Sequence, residues 1–152
     1  MDQVQLTRVL NNEDIVKIFH NAKFDYKFIK HYLHIDTVNI HDTYLCEKVL
    51  HCGKTDYGFG LAKLVNRYLG KELDKSVRNR FTQTSSTPFT DDQIIYGAKD
   101  VEYLIDIYHQ QVDLLKLQNL SNVAGLENYA VIVFSEIEYN GLEINLEAWK
   151  KL

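Results

Sequence analysis

The sequence predicts an α/β fold in a single domain; one observation carries the fold class and two more the single domain. Short apolar runs suited to buried strands alternate with longer stretches whose apolar residues recur at helical spacing. The chain has 152 residues, 45% of them hydrophobic and 25% charged, enough for one domain with its own core. A single proline and seven glycines leave little room for linkers or low-complexity segments.

The elements follow in order. Val4, Leu6, Val9 and Leu10 form one face of a short first helix, which Asn11, Asn12, Glu13 and Asp14 break. Ile15 to Phe19 is apolar apart from one lysine and reads as a short buried strand. Phe24, Phe28, Ile29, Tyr32 and Leu33 then fall at helical spacing, placing Asp25 in the first turn of a helix from Phe24 to Leu33. Val38 to His41 is a second strand, leading into a helix from Asp42 to Leu50 that Asp42 caps. Gly53 to Gly60 is a loop, and Leu61 to Leu69 a helix stopped by Gly70. After a polar loop from Gln83 to Pro88, Thr90-Asp91-Asp92-Gln93 has the form of a capping box and opens a long helix to about Leu117. Asn119 to Asn122 interrupt it. Ala130, Val131, Val133, Phe134, Ile137 and Glu138 suggest a further helix, stopped at Asn140-Gly141, and a last one starts at Leu146.

Composition narrows the function. The net charge of −4 argues against a surface that grips nucleic acid by charge alone, but not against an enzyme that holds a few nucleotides through metal ions. Cys46 and Cys52 have no metal-ligand spacing and read as free thiols of a reducing compartment. The N-terminus is neither a signal peptide nor a membrane span, so a cytoplasmic location and no membrane partner are expected. The histidines share no zinc spacing with the cysteines, and the helical His-x-x-His pair of His31 and His34 reads as surface rather than site.

Two motifs point to chemistry: Asn21-Ala22-Lys23-Phe24-Asp25 and Tyr96-Gly97-Ala98-Lys99-Asp100. Phosphodiester cleavage at neutral pH needs a nucleophilic water, a partner for the leaving oxygen and positive charge, which two divalent ions about 3.5–4 Å apart supply. Hard ions such as Mg²⁺ or Mn²⁺ take carboxylate oxygens. Asp25 sits just beyond the carboxyl end of a strand, where α/β folds commonly bind ligands. Tyr96 and Asp100, at i and i+4, share one helical face. Taken alone, Asp25 reads as a first-turn acid favoured by the helix dipole, and Tyr96 with Asp100 as an ordinary exposed pair. Asp42, Asp74 and Glu102 read as cap, loop and surface acids. Lys71, Lys75, Arg78 and Arg80 form a basic stretch that either meets phosphate or faces solvent; Tyr57, Phe59 and Phe81 either stack on bases or pack in the core.

In their order and spacing these motifs resemble the 3′–5′ exonucleases of the DEDD group with a tyrosine in their third motif, namely the proofreading domains of family A DNA polymerases and the related ribonuclease D enzymes. Asn21, Phe24 and Asp25 match the second motif, Asn-x-x-(Phe/Tyr)-Asp; Tyr96 and Asp100 match the third, Tyr-x-x-x-Asp. Asp42-Thr43, Gly60-Leu61-Ala62-Lys63-Leu64, Leu73-Asp74-Lys75 and Pro88-Phe89-Thr90 add to the likeness. The resemblance implies a ribonuclease H-like fold, Asp25 and Asp100 as ligands of two Mg²⁺ or Mn²⁺ ions, Tyr96 orienting the attacking water, and Asn21 and Phe24 holding substrate.

The first motif of that family, Asp-x-Glu, has no match here: Asp2, Glu13 and Asp14 precede Asn21 without forming it. The expectation is therefore a fold truncated at its N-terminus, lacking three strands, with a helical C-terminal extension. The isolated chain is then expected to be inactive, with a companion polypeptide or a second copy of itself completing the sheet. Glu136-Ile137-Glu138-Tyr139-Asn140-Gly141-Leu142-Glu143-Ile144-Asn145 resembles the start of the polymerase region of family A enzymes, which favours the proofreading branch and a single-stranded DNA 3′ end as substrate. On this reading residues 1–118 are a partial exonuclease domain and residues 119–152 the start of a polymerase region. The alternative is an inactive exonuclease-like module that binds single-stranded DNA or a replication protein.

Overall fold

The computed structural model describes residues 2–54, 56–73 and 89–151. Its elements are α1 (Gln3–Leu10), β1 (Lys17–Phe19), α2 (Ala22–Leu33), β2 (Ile40–Asp42), α3 (Thr43–Leu50), α4 (Leu61–Leu69), α5 (Asp91–Glu102), α6 (Leu104–Leu117), α7 (Ser121–Asn140) and α8 (Leu146–Trp149). Among the described residues β1 and β2 pair in parallel, Lys17 opposite Ile40, Ile18 opposite His41 and Phe19 opposite Asp42. Helix α2 is the crossover between them. The α/β expectation holds.

Both strands are shorter than their apolar runs. Ile15 is taken up by a turn, its N–H donating to the Asn12 carbonyl at 3.3 Å, and pairing starts only where the Lys17 N–H meets the Asn39 carbonyl at 2.9 Å. Val38 donates to the Leu10 carbonyl instead of to the sheet, and Asn39 adopts a left-handed φ of 50°, so β2 begins at Ile40. Lys17, 6% exposed, satisfies its buried ammonium on the Asn12 carbonyl at 2.5 Å. Helix α4 has the expected bounds, with Gly70 stopping it at φ +63°.

The single helix expected from Thr90 to Leu117 is two. Tyr103, at φ −91° and ψ −6°, is the junction residue, closing α5 and opening α6. Its ring packs against the buried Leu64, Val65 and Ile107, so the break serves packing between α4 and α6. Apolar periodicity runs through both halves and conceals the break. The expected capping box is present: the Thr90 side chain accepts from the Gln93 N–H while Gln93 Oε1 accepts from the Thr90 N–H at 2.9 Å. Thr90→Ala is expected to cost about 1 kcal/mol, read as a fall of roughly 2–4 °C in Tm.

Helix α7 starts at Ser121, well before the run expected from Ala130, and ends at Gly141 with φ +68°. It lies along α2. Lys23 and Lys27 both reach Glu138, at 2.5 and 2.7 Å, while Lys30 pairs with Glu136, which also accepts from the Tyr26 hydroxyl at 2.6 Å. Ala22, Tyr26, Ile40 and Val131 close the apolar layer beneath. Cys46, Leu50, Leu115 and Ala124 form a second cluster under α3, α6 and α7. Cys46 and Cys52 are free thiols, the first buried and the second exposed.

This clamp makes a pH-dependent contact. The ammonium of Lys30, and then the Tyr26 hydroxyl, hold the Glu136 carboxyl below its ordinary value of 4.5. A carboxyl depressed in the folded state contributes stability above its unfolded value and loses it as pH falls through the folded one. Protection factors of the α7 amides, measured against the intrinsic exchange rate at each pH, are therefore expected to fall as pH drops below the ordinary glutamate range, and Glu136→Gln to flatten that dependence. No helix among the described residues is long and apolar enough to cross a membrane.

Candidate active site

The candidate site is assembled at the carboxyl ends of the two strands. β1 ends in Phe19 and the chain turns at Asn21, which adopts φ 67° and ψ 53°, before α2 begins at Ala22. The α2 helix has no cap from its own neighbours. Asp42, at the end of β2 and 1% exposed, supplies one from across the sheet: its carboxylate accepts from the N–H groups of Asn21, Ala22 and Tyr44, each at 2.9 Å. One buried charge thus sits under the positive ends of both α2 and α3. The Asp42 N–H donates to Asn128 Oδ1 at 2.8 Å, tying the same point to α7.

This arrangement presents the first turn of α2 to a cleft of about 730 Å³. Asn21, Phe24, Asp25, Tyr96 and Asp100 all line it. The two motifs are far apart in sequence and are brought to one site: α2 supplies Asn21, Phe24 and Asp25, and the opposite wall, α5, supplies Tyr96 and Asp100. Burial pushes the Asp25 carboxyl above the ordinary carboxylate range; repulsion from Asp42 adds to this and a backbone hydrogen bond opposes it. A dication beside Asp25 would relieve both penalties. The donors are hard oxygens of the kind Mg²⁺ and Mn²⁺ take. Among the described residues no three His, Cys, Asp or Glu converge as a metal-holding group.

Other candidates resolve differently. Asp42 is a cap, though of two helices rather than one. Glu102, His31 and His34 are exposed. Tyr57 packs under the Arg67 guanidinium at 3.6 Å and beside Phe59, at a ring separation of 5.8 Å, so both belong to loop packing. The Lys71 ammonium lies over the Tyr103 ring at 4.8 Å. Asp74, Lys75, Arg78, Arg80 and Phe81, with the loop from Gln83 to Pro88, lie outside the described residues. His20 also lines the cleft, and zinc spacing among the histidines does not single it out. Its place directly after an apolar strand run and before Asn21 is the signal that could have found it.

The sequence profile of the 3′–5′ exonuclease family matches residues 2–116. The chain belongs to that family. Its described fold is that of the ribonuclease H-like 3′–5′ exonucleases. The structure of Escherichia coli RNase D superposes with a TM-score of 0.76 at 22% identity, covering 99% of this chain and 38% of the other. Brucella melitensis NrnC with bound Mg²⁺ superposes with a TM-score of 0.79 at 20% identity, over 92% and 67% of the two chains. Ribonuclease D of Bartonella henselae is 33% identical over 143 residues, which are 93% of this chain and 32% of the relative. This chain spans 24–32% of the length of the curated ribonuclease D relatives it matches, 27% of one and 32% of another. These relatives are named as ribonucleases, and the expectation of a polymerase proofreading branch, drawn from residues 136–145, finds no support in them. Within this fold Glu136 and Glu138 of that segment are the acids that clamp α7 to α2.

Proposed function

We propose that this chain carries part of the active site of a ribonuclease D-like 3′–5′ exonuclease that removes terminal nucleotides from single-stranded RNA. The observation that carries this reading is the convergence of Asp25 and Asp100, from two separate helices, on one cleft that also holds Tyr96, Asn21 and Phe24. The ribonuclease names of its relatives favour RNA over DNA.

Asp25 and Asp100 would hold the divalent ions, whose chemistry when bound is Lewis acidity toward the phosphodiester. Tyr96, one turn before Asp100, orients a water toward the scissile phosphorus through its hydroxyl. The Asn21 side-chain amide holds the sugar–phosphate at the bend between β1 and α2. Phe24, 58% exposed at the cleft rim, offers a face on which the terminal base stacks. Among the described residues two carboxylates line the cleft, fewer than a two-ion site commonly uses, so a second polypeptide, or a second copy of this chain, is proposed to contribute further acids and to pair with the small sheet.

The test is a 5′-labelled single-stranded oligoribonucleotide with Mg²⁺ or Mn²⁺, using the chain at rising concentration. Where a second copy supplies the further acids, shortening from the 3′ end is expected to rise more steeply than chain concentration, with EDTA abolishing it. Asp25→Asn and Asp100→Asn should each lower turnover more than about a hundredfold, beyond the loss typical of a residue that only supports a ligand. Unchanged Mn²⁺ binding by both variants in calorimetry would refute the assignment even where turnover is undetectable.

A further inference from the structure

The hydrogen bonds around one ring nitrogen in the cleft fix what it can bind. The Thr43 hydroxyl has one proton, and it is committed: Thr43 Oγ1 donates to the Phe19 carbonyl at 2.9 Å, an oxygen that only accepts. His20 Nδ1 lies 3.0 Å from the same Oγ1. With its proton spent on Phe19, Thr43 can only accept here, so His20 Nδ1 carries the proton and donates it. In the neutral imidazole Nε2 is then a bare acceptor. Tyr44, edge-on to the ring at 5.7 Å, holds the imidazole plane from the side, and His20 lines the cleft between Phe19 and Asn21. Burial favours the neutral ring, although Asp42 and Glu47 oppose it.

The strand that the cleft receives presents few groups that can meet a bare acceptor. Phosphate oxygens only accept, and the donors on the sugar–phosphate chain are the sugar hydroxyls. We propose that His20 Nε2 accepts a hydrogen bond from a ribose hydroxyl of the 3′-terminal nucleotide, making His20 a specificity-determining residue of the site. This rests on the nuclease reading above and adds to it the atom that recognises the sugar. Thr43 acts through His20, fixing which nitrogen is free.

Binding of three uridine tetranucleotides separates the possibilities. They end in ribose, 2′-deoxyribose or 3′-deoxyribose, so the base is constant and only a hydroxyl differs; Ca²⁺ replaces Mg²⁺ to hold turnover down. The wild-type chain is expected to lose about tenfold in affinity when the recognised hydroxyl is removed, and the deoxy end that shows the loss says which hydroxyl it is. His20→Asn keeps a donor for Thr43 but has no group at the Nε2 position, and should bind all three probes alike. A ¹⁵N-detected spectrum of the imidazole in the free protein should show the proton on Nδ1. Discrimination that persists in His20→Asn, indifference of the wild type to both hydroxyls, or a proton found on Nε2 would each overturn the proposal and leave the nuclease reading intact. Failure to bind any of the three probes would overturn both.

Discussion

Replacing Glu47 by alanine is expected to lower the free energy of unfolding by about 3–5 kcal/mol, because it leaves the half-buried Arg67 guanidinium without its carboxylate and the Tyr68 and Gln111 donors without that acceptor. The Glu47 side chain is 0% exposed and pairs with Arg67 at 2.6 Å. It also accepts from the Tyr68 hydroxyl at 2.5 Å and from Gln111 Nε2 at 2.8 Å. One carboxylate on α3 therefore binds α4 through Arg67 and Tyr68, and α6 through Gln111. Arg67 extends the effect: it donates to the carbonyls of Tyr57 at 2.7 Å and Gly58 at 3.1 Å, holding the loop that ends at Gly60 on the cleft wall. Urea titrations read the loss as a lower midpoint at constant slope. Glu147→Ala is the control. That acid is 81% exposed and 3.8 Å from Lys150, so its removal should change stability by no more than about 0.5 kcal/mol.

Asp42→Ala should cost a similar amount, about 3–5 kcal/mol, and should also disturb the site. Each backbone N–H on a charged acceptor is worth about 1.5–3 kcal/mol, but three that share one carboxylate do not add independently. Without Asp42 the N–H groups of Asn21 and Ala22 lose their acceptor, and Ala22 is fully buried, so water cannot replace it without opening the layer beneath. Asp42→Asn keeps one oxygen and should fall between, near ~2 kcal/mol. Because Asn21 and Asp25 ride on the same turn, nucleotide binding should weaken in both variants at temperatures where each remains folded. Asp25 should also become easier to ionise, since the repulsion from Asp42 that helps hold its carboxyl high is removed. If Asp42→Ala left both stability and binding unchanged, the double cap would not be what positions the site.

Much of this is legible in the amino-acid order alone. Helix α4 can be bounded from Leu61 to Leu69 because an apolar stripe and a terminal glycine act locally. The capping box at Thr90 is likewise a matter of four consecutive residues. Asn21, Phe24, Asp25, Tyr96 and Asp100 are recognisable because their order and spacing match two short motifs of the family, each contained within five residues. The break at Tyr103 is not legible: it answers to contacts with α4, and the helical period of the apolar residues runs through it. Nor is the true start of α7, whose early turns are held by packing of Ala124 against Cys46, Leu50 and Leu115 rather than by a cap of its own.

Sequence by itself determined the chemical inventory of this protein: two carboxylates, a phenol, an amide and a ring in motif order, on elements whose period and punctuation are set by neighbours a turn or less away. Tertiary structure decided which of these meet. It placed α2 and α5 on opposite walls of one cleft, turned Asp42 from a local cap into the shared anchor of two helices, and used the single proton of Thr43 to set the tautomer of His20. Those outcomes depend on groups as far apart in sequence as Phe19 and Thr43, or Asp42 and Asn128. Only after the chain has folded do such groups lie within hydrogen-bonding range, where low dielectric and lost solvation give each contact its weight.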